Sequence, residues 1–370
     1  MNIIMTGTTG TLGSNVLFEL LQQEQVDQIF LLIRKKNGKS PEERLNAILN
    51  SGAAPESILK QKDILIKKVK VLDANAFFNP ESFLKKEQNN FFIHSAGYVN
   101  LSTHESQKEE IFKENLGFTK EIFNTFYPYL SKFIYISTAF CIGNIGGLIN
   151  NDYHDSEIKP IYRNFYEESK HKAEQFLKQE GSKRDVAIQI LRPSVLGGNI
   201  FEQSKFFISK FMVYYLLGKF FYKNPITKNA IRITANINAG LNIIPVDYAA
   251  KVISKVFHLK EINQLNIVHP KCTHLKSGIS KILESVNFKS FTIVDSQQDN
   301  EEELANMNVL EKLYYNSIGV HLKPYLTSKP YEFETKLLEL IYPMPNYDLD
   351  GYLEQTMKFA IAKNFKNERY

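Results

Sequence analysis

The sequence predicts an α/β fold in which helices cover both faces of a doubly wound parallel sheet. Short β-rich runs alternate with longer helical patterns over the first two-thirds of the 370 residues, and such alternation is typical of βαβ units. A glycine-rich turn follows the first β-rich run, and the composition changes after Pro193. The predicted strands are Asn2–Met5, Gln28–Ile33, Lys68–Leu72, Phe91–His94, Lys132–Ile136 and Val186–Leu191.

Helices are expected between these strands, for example at Leu12–Gln23 and Ser106–Phe126. The run Ser40-Pro41-Glu42-Glu43 predicts a helix start, because it places a capping Ser before Pro at the first helical position and Glu at the third. A further helix is predicted from Tyr166 to Glu180, with Gly181 as its C-cap.

Two domains are predicted. Residues 201–224 are crowded with Phe, Tyr and Lys, and the final hundred residues have a mostly helical pattern. We therefore expect a sheet domain over residues 1–200, to which residues 243–270 return. Residues 201–242 and 271–370 are expected to form a smaller, mostly helical domain that binds substrate or closes over it.

The composition excludes several classes of protein. Hydrophobic residues make up 43% and charged residues 23% of the chain, as in ordinary folded proteins. The net charge of +5 fits an anionic small molecule or an acidic carrier protein, and is too dilute for a nucleic-acid binder. The cysteines, Cys141 and Cys272, are too few for a disulfide framework or a cysteine metal site, and no metal site is predicted.

Apolar segments long enough for targeting or membrane insertion are not evident. The first apolar run is too short for a signal peptide. The longest candidate, Phe206–Tyr222, is interrupted by Lys210 and Lys219, whereas a spanning helix needs about 18 apolar residues. A cytoplasmic location is expected.

The glycine-rich turn predicts a dinucleotide-binding Rossmann motif. Three glycines follow the first strand and open the first helix, where they allow a tight turn, close approach to a pyrophosphate and close helix–strand packing. The helix N-terminus then presents unpaired N–H groups to the phosphates. The candidate contacts in this turn are Thr6, Gly7, Thr9, Gly10, Thr11, Leu12 and Gly13.

The second strand ends in Arg34, Lys35 and Lys36, where an NAD site usually has Asp or Glu. Arg34 suits the 2′-phosphate of NADPH, and the alternative is a solvated basic turn. Asp73, after the third strand, is either a carboxylate near the adenine or a surface turn residue.

The fourth strand is followed by Ser95, Ala96 and Gly97, small residues that let the backbone pass close to a cofactor. His94, just before them, is expected to be a structural histidine.

Tyr166 and Lys170 have the spacing of a catalytic pair. Four residues apart on one helix, they share a face, and a neighbouring ammonium is expected to lower the pKa of the phenol. Tyr166 could then exchange a proton with a carbonyl or alcohol oxygen. A hydroxyl from Ser137 or Thr138, past the fifth strand, could bind the same oxygen. Asn115, predicted mid-helix, either bonds backbone or water near Lys170 or makes a plain buried polar contact.

The chain resembles the extended short-chain dehydrogenase/reductases. Within them it is most similar to the fatty acyl-CoA reductases and carrier-protein thioester reductases, the male-sterility type of NAD-binding domain. The resemblance covers roughly residues 1–255. It rests on motifs in the expected order: Thr6–Gly13, Leu32–Arg34 with Glu42–Leu45, Val99–Leu101, Ser137–Ala139, Tyr166–Lys170, Leu191–Ser194 and Ile244–Ala250.

The resemblance implies roles for individual residues. Counting back five places from Gly143, as in extended family members, puts the catalytic hydroxyl on Thr138. The catalytic set is then Thr138, Tyr166 and Lys170, and Lys170 also holds the cofactor ribose. Pro193, Ser194 and Val195, together with Asn115, complete the expected cofactor contacts.

The activity implied by the resemblance is transfer of a hydride from NADPH to a thioester carbonyl, which releases a thiol and an aldehyde. Some relatives continue to the alcohol. The substrate is expected to be an acyl-CoA or an acyl-carrier protein delivered by a separate partner, to a monomer or homodimer. The alternative is a nucleotide-sugar epimerase, dehydratase or reductase on the same scaffold. Arg34 and Ile244–Ala250 favour the reductase, and the intact catalytic set disfavours a non-catalytic NADP-binding protein.

The aromatic segment has three interpretations. It could form a lid or wall of an acyl tunnel with lysines at the mouth, a membrane-surface helix that makes peripheral contact, or an ordinary amphipathic helix packed on the core. Its residues are Phe201, Phe206, Phe207, Phe211, Tyr214, Tyr215, Leu216, Leu217, Phe220 and Phe221, interrupted by Lys205, Lys210 and Lys219.

Overall fold

The computed structural model describes residues 1–155, 159–202, 204–225, 230–297, 306–368 and 370. The strands in these residues are β1 (Asn2–Thr6), β2 (Gln28–Leu32), β3 (Val69–Leu72), β4 (Asn90–His94), β5 (Lys132–Ile136), β6 (Gly147–Ile149), β7 (Ala187–Pro193), β8 (Val195–Gly197), β9 (Ile231–Ala235), β10 (Gly240–Leu241), β11 (Ile243–Pro245), β12 (Gln264–Ile267), β13 (Thr273–His274), β14 (Phe291–Asp295) and β15 (Tyr331–Phe333).

The helices in the same residues are α1 (Thr11–Leu21), α2 (Pro41–Leu49), α3 (Glu56–Leu65), α4 (Ala74–Phe77), α5 (Glu105–Phe112), α6 (Phe118–Phe126), α7 (Phe165–Arg184), α8 (Tyr214–Lys223), α9 (Val246–Val256), α10 (Leu275–Ser285), α11 (Val309–Tyr315), α12 (Ile318–Leu326), α13 (Lys336–Ile341) and α14 (Leu349–Ala362). A π-helical turn, Lys113–Gly117, joins α5 to α6.

A seven-stranded parallel sheet forms the centre of the molecule, in the order β12-β7-β5-β4-β1-β2-β3. The strand order reverses between β1 and β4, where Thr6 aligns with His94. In such sheets the crevice at the carboxyl ends of the strands beside this reversal is the usual ligand site. The α/β fold class expected from the sequence is confirmed.

The central strands are apolar on both faces because helices cover both. Successive side chains of a strand point to opposite faces. Ile3 and Met5 accordingly belong to one core cluster, with Val16 of α1, while Ile4 belongs to a second cluster on the other face, with Phe123 of α6. Helix α9 packs against α1, and α5 and α6 pack against α7.

The sequence predicted how α2 begins and how α7 ends, and only the first of these predictions is confirmed. At α2 the Glu43 N–H donates to Ser40 Oγ (3.2 Å) and the Ser40 N–H donates to Glu43 Oε2 (2.6 Å), so the predicted capping box is confirmed. The predicted end of α7 at Gly181 is wrong. That glycine lies inside the helix, at a position where a Cβ would approach Ile188 Cγ1 to 2.2 Å. The helix ends at Arg184, and its C-cap is Asp185, which has the left-handed φ of 54°.

Among the described residues after 200, the chain returns to the main sheet once, when β12 pairs with β7. Before that, Tyr214–Lys223 form α8, the one α-helix in the described residues of the aromatic segment. Helices α8, α10 and α14 pack together. Among the described helices, none has the length and apolar character that crossing a membrane requires.

Candidate active site

A cavity of about 460 Å³ lies at the carboxyl ends of the central strands. It brings together twelve of the residues that the sequence predicts for cofactor binding or catalysis. These are Gly10, Thr11, Leu12, Gly13, Ser95, Gly97, Thr138, Tyr166, Lys170, Pro193, Ser194 and Val195. The other predicted residues lie outside its lining: Thr6, Gly7, Thr9, Arg34, Asp73, Ala96 and Asn115.

The turn between β1 and α1 needs its glycines for close packing. Gly7 has φ of +78°, and a Cβ there would come within 2.4 Å of the Ala96 nitrogen. A Cβ on Gly13 would come within 2.1 Å of the Gly7 carbonyl oxygen. Gly7 and Ala96 therefore shape the cavity from behind without lining it.

The N-terminus of α1 faces this cavity without a side-chain cap. Its N-cap residue is Gly10, which has no side chain to accept from the first N–H groups of the helix. Those groups, together with the positive end of the helix dipole, form a site for an anion. The turn therefore fits the pyrophosphate of a nicotinamide dinucleotide.

His94 is a structural histidine, as the sequence predicted. Its Nδ1 lies 2.7 Å from Thr6 Oγ1 and its Nε2 lies 3.1 Å from Thr119 Oγ1. Burial, with a smaller contribution from the positive charge of Lys170, lowers the pKa of His94 to about 3. The ring is neutral at physiological pH, and with Thr6 it joins β4 to β1 below the glycine turn.

Asn115 connects the loop after β4 to α7. It lies in the π-helical turn, and π-helical turns are frequent at functional sites. Asn115 Oδ1 accepts from the Tyr98 N–H (2.8 Å), and Nδ2 donates to the Tyr98 carbonyl (3.2 Å) and to Ser169 Oγ (3.0 Å). Its partners are thus backbone and a buried hydroxyl beside Lys170, which accounts for an otherwise unfavourable mid-helix asparagine.

Lys170 is directed towards the end of β5. Its Nζ donates to the Ile136 carbonyl oxygen (2.7 Å) and lies 4.1 Å from the centroid of the Tyr135 ring. Burial lowers the pKa of Lys170 to about 8.

The expected effect of Lys170 on Tyr166 is wrong for this arrangement. The pKa of Tyr166 is raised. Burial is the largest cause, and electrostatic repulsion from Cys141 and Glu167 raises this pKa further. The physical reason is that the ammonium of Lys170 bonds a carbonyl on β5, so it does not offset the loss of solvation of the phenol. Tyr166 consequently holds its proton at neutral pH.

Both hydroxyl residues after β5 line the cavity, but their hydrogen bonds differ. Ser137 Oγ donates to Cys141 Sγ (3.8 Å). Thr138 Oγ1 accepts from the Phe140 N–H (3.3 Å), a bond that leaves its own hydrogen available to an oxygen in the cavity. This contrast favours Thr138.

The amino-terminal turn of α7 is anchored by a buried network. Glu167 accepts from Arg163 Nη1 (3.2 Å) and from the Arg163 N–H (3.0 Å). The capping residue Asn164 accepts from the Glu167 N–H (3.0 Å) and donates to the Tyr325 hydroxyl (2.8 Å). The network holds Tyr166 at the start of the helix and ties it to α12.

Further along α7, Glu174 pairs with Arg192 of β7. Arg192 donates to both carboxylate oxygens, from Nε (2.9 Å) and from Nη2 (2.7 Å), and both side chains are fully buried. This pair fastens the helix to the sheet beside Lys170. It also explains Arg192 in the Leu191–Ser194 motif.

Asp247 explains a second motif, Ile244–Ala250. Its carboxylate accepts from the N–H groups of Ile200 (2.9 Å) and Phe201 (2.6 Å). The motif therefore fixes the chain where it leaves the sheet and turns towards the cavity wall.

The basic residues after β2 form a cluster near the cavity. Arg34 is exposed, and its carbonyl accepts from Arg44 Nη1 (2.6 Å). Lys210 lines the cavity, and its pKa is lowered by burial and then by the charges of Lys36 and Arg44. Asp73 is exposed and caps α4 by accepting from the Ala76 N–H (2.8 Å).

The aromatic segment contributes both core and cavity wall. Phe207, Phe211, Tyr215 and Phe221 are buried in the core, as the amphipathic-helix interpretation predicts. The cavity wall is built by smaller residues between them, and Tyr325 and Phe140 complete it. Sequence reasoning missed Tyr325 because it lies beyond the part of the chain that carries the family motifs. The wall residues from the segment are Ile208, Lys210, Met212 and Val213.

Comparison with known proteins gives a consistent result. A family model described as "Male sterility protein", an NAD-binding domain, matches residues 5–253. A putative fatty acyl-CoA reductase of Drosophila melanogaster is 26% identical over 307 residues, covering 74% of this chain and 54% of that protein. Human fatty acyl-CoA reductase 1 is 24% identical over 314 residues, covering 74% and 57%. The chain thus spans little more than half the length of these relatives.

Solved structures share the fold. The terminal R domain of the myxalamid PKS-NRPS pathway superposes with a TM-score of 0.70 at 18% identity, covering 99% of this chain and 92% of that one. UDP-glucuronic acid 4-epimerase from Bacillus cereus superposes with a TM-score of 0.64 at 16% identity, covering 98% and 100%. At these identities the likeness concerns the extended short-chain dehydrogenase/reductase fold.

Proposed function

Because the chain belongs to the male sterility protein family of NAD-binding domains, we propose that it is an NADPH-dependent oxidoreductase that reduces an acyl thioester to an aldehyde. The observation that carries the proposal is the convergence of Thr138, Tyr166 and Lys170 with the glycine turn on one cavity. A domain that only binds a nucleotide does not need a proton donor, an ammonium and a hydroxyl donor around the same space.

The cofactor would lie across the carboxyl edge of the sheet. Gly10 to Gly13 would hold its pyrophosphate, and Lys170 would hold the ribose next to the nicotinamide. Residues 1–200 with 243–270 would form this cofactor half, and residues 201–242 with 271–370 the substrate half. The return of β12 to the main sheet and the packing of α8 with α10 and α14 support that division.

Preference for NADPH over NADH rests on the basic cluster after β2. Arg34, Lys36 and Arg44 lie together where an NAD site has a carboxylate, and Lys210 adds a fourth positive charge. Cations confined so closely repel one another, and a bound 2′-phosphate would relieve that repulsion.

The chemistry would be divided among three side chains. NADPH, when bound, supplies a hydride to the thioester carbonyl carbon. Thr138 and Tyr166 would donate hydrogen bonds to the carbonyl oxygen, and Tyr166 would pass its proton to that oxygen as negative charge develops. A positive charge on Lys170 would favour the phenolate that remains, relative to a neutral side chain at this position.

Release of the thiol would complete the reaction. The hydroxyl of the resulting hemithioacetal returns its proton to Tyr166, the carbon–sulfur bond breaks, and the departing thiolate takes a proton from solvent. One hydride and one proton are consumed for each thioester converted to an aldehyde and a thiol. A second passage of the aldehyde through the same site would yield the alcohol.

The thioester is proposed to be an acyl-CoA or an acyl-carrier protein. The relatives named fatty acyl-CoA reductase and the R domain of a PKS-NRPS pathway support these two carriers. The cavity itself is lined mainly by apolar side chains around the polar set, such as Leu101, Leu196 and Ile208. An acyl chain suits such a lining better than a sugar does.

The second candidate is an enzyme acting on a nucleotide sugar. The superposition on UDP-glucuronic acid 4-epimerase over nearly the whole chain supports it at the level of the fold. The apolar cavity and the basic cluster at the end of β2 disfavour it.

The test is oxidation of NADPH with a panel of acyl-CoAs, followed by absorbance, beside a panel of UDP- and dTDP-sugars followed by product analysis. Aldehyde or alcohol formation from an acyl-CoA or an acyl-carrier protein is the expected result. Conversion of a nucleotide sugar without any turnover of thioesters would instead establish the second candidate.

A further inference from the structure

A second, smaller cavity adjoins the first. It has a volume of about 50 Å³ and lies between α8, α10 and α12. We call it the annex. Val213 and Tyr325 line both cavities, so these two side chains form the partition between the annex and the space that contains Tyr166.

The annex is apolar even where its lining includes polar residues. Leu217, Ile279 and Leu322 are typical of its walls. The two tyrosines present only their rings, because their hydroxyls have partners elsewhere. Tyr325 accepts from Asn164 Nδ2 (2.8 Å), and Tyr214 donates to Thr356 Oγ1 (3.2 Å). Water would find few hydrogen-bond partners along such walls, whereas an alkyl group would not need them.

Two features of the backbone distinguish this space. Val213 has φ of +51°, a conformation that a β-branched residue adopts only when its surroundings impose it, and such strain clusters at ligand sites. Gly278 lines the annex from α10, and a Cβ there would meet Thr273 Cγ2 at 3.2 Å and take up part of the space.

We infer that the annex binds the far end of the acyl chain and sets the chain length that the enzyme accepts. This inference rests on the proposed function, since the thioester carbonyl must lie beside Thr138 and Tyr166. From there the chain runs past Val213 and Tyr325. One water-sized group needs about 10–15 Å³ of such volume, so the annex holds roughly three to five carbon groups.

The first test changes the annex volume at Ile279, which is buried on α10. Ile279→Phe should lower kcat/KM at least tenfold for the longest acyl-CoAs that the native protein reduces, and leave shorter ones unchanged. Ile279→Ala should move the preference towards longer chains. We expect at least a tenfold change because one methylene more or less in an apolar pocket changes kcat/KM by about tenfold or more. The matched controls are Leu283→Phe and Leu283→Ala, on the same helix but outside the annex.

The second test measures binding and does not depend on turnover. The chain contains no tryptophan, so Tyr214→Trp would place a single indole in the annex wall. An acyl-CoA brominated at its terminal carbon should quench this fluorescence strongly, and one brominated beside the thioester should not.

The outcomes separate the two proposals. Lack of turnover with every thioester would overturn the proposed function, and quenching by the terminal bromine would still locate an alkyl chain in the annex. Turnover with an unchanged chain-length profile in both Ile279 variants, or equal quenching by both brominated compounds, would overturn the inference about the annex alone.

Discussion

The Lys170 ammonium donates a hydrogen bond of 2.7 Å to the backbone carbonyl oxygen of Ile136. Ile136 is the last residue of β5, so this bond holds the ammonium at the floor of the cavity, next to the segment that carries Ser137 and Thr138. Burial there lowers the pKa of Lys170 to about 8. The proposed reaction needs the charged form.

We therefore expect an alkaline limit on activity. A lowered pKa means that Lys170 loses its proton at a lower pH than an exposed lysine does. Its charge is present below pH of about 8 and is lost above it, so kcat/KM for thioester reduction should fall as the pH rises through this value. The measurement is a pH profile of kcat/KM.

Lys170→Arg is the control for this assignment, because an arginine keeps its charge over the whole range. The alkaline limit should move to higher pH in this variant, even where the rate is low. The same limit in both proteins would mean that another group causes it.

Removal of the phenol should abolish most of the activity without unfolding the protein. Tyr166→Phe loses the proton donor, and general acid catalysis contributes about 10²–10⁴-fold. We expect kcat to fall within that range while NADPH still binds. The matched control is Tyr162→Phe, which removes a hydroxyl bonded to His171 Nδ1 outside the cavity lining. A Tyr166→Phe variant with full turnover would contradict the catalytic assignment.

Arg34 should distinguish NADPH from NADH. A hydrogen bond to a charged group is worth about 1.5–3 kcal/mol, so Arg34→Ala should raise KM for NADPH about 10–100-fold and leave KM for NADH unchanged. The matched control is Lys35→Ala, which removes one positive charge at the next residue, also exposed. Steady-state kinetics with both cofactors make the comparison. Equal effects on the two cofactors, or a native preference for NADH, would contradict a 2′-phosphate site here.

The turn after β1 should not tolerate a methyl group at its third glycine. In Gly13→Ala the Cβ would lie 2.1 Å from the Gly7 carbonyl oxygen, so the turn must shift and the cofactor site with it. We expect calorimetric titration to show at least tenfold weaker NADPH binding, with a destabilisation of about 1–3 kcal/mol from overpacking. At Gly117, by contrast, a Cβ would be 3.7 Å from the Phe112 carbonyl, and Gly117→Ala should bind NADPH normally.

The buried pair of α7 should dominate the stability of the site. Glu174→Gln leaves the guanidinium of Arg192 buried without its counter-charge, which typically costs about 3–5 kcal/mol. Glu180, on the same helix, pairs with Lys183 and Arg184 at the surface, and Glu180→Gln should cost at most about 1 kcal/mol. Urea unfolding of the two variants measures both values. Equal decreases in the free energy of unfolding would show that the buried pair contributes no more to stability than the surface pairs do.

Much of the fold could be predicted because its signals are local. The six predicted strands correspond to β1–β5 and β7, since an apolar run bounded by turn residues is visible in a short window. The end of α7 could not be predicted in this way. Gly181 has the residue type of a C-cap, but it lies within the helix. A Cβ there would collide with Ile188 of the neighbouring strand, so this glycine serves packing between elements, which a short window of sequence does not reveal.

The candidate site shows the same division. The sequence by itself determined the glycine turn, the Tyr166–Lys170 spacing and the basic residues after β2, because each is a short pattern that can be recognised from neighbouring residues. Only the tertiary structure decided that Tyr166 has a raised pKa, that Lys170 bonds Ile136, and that Tyr325 and Val213 divide the cavity from the annex. Burial and cavity shape depend on many residues that are distant in the sequence. They are therefore defined only once the chain has folded.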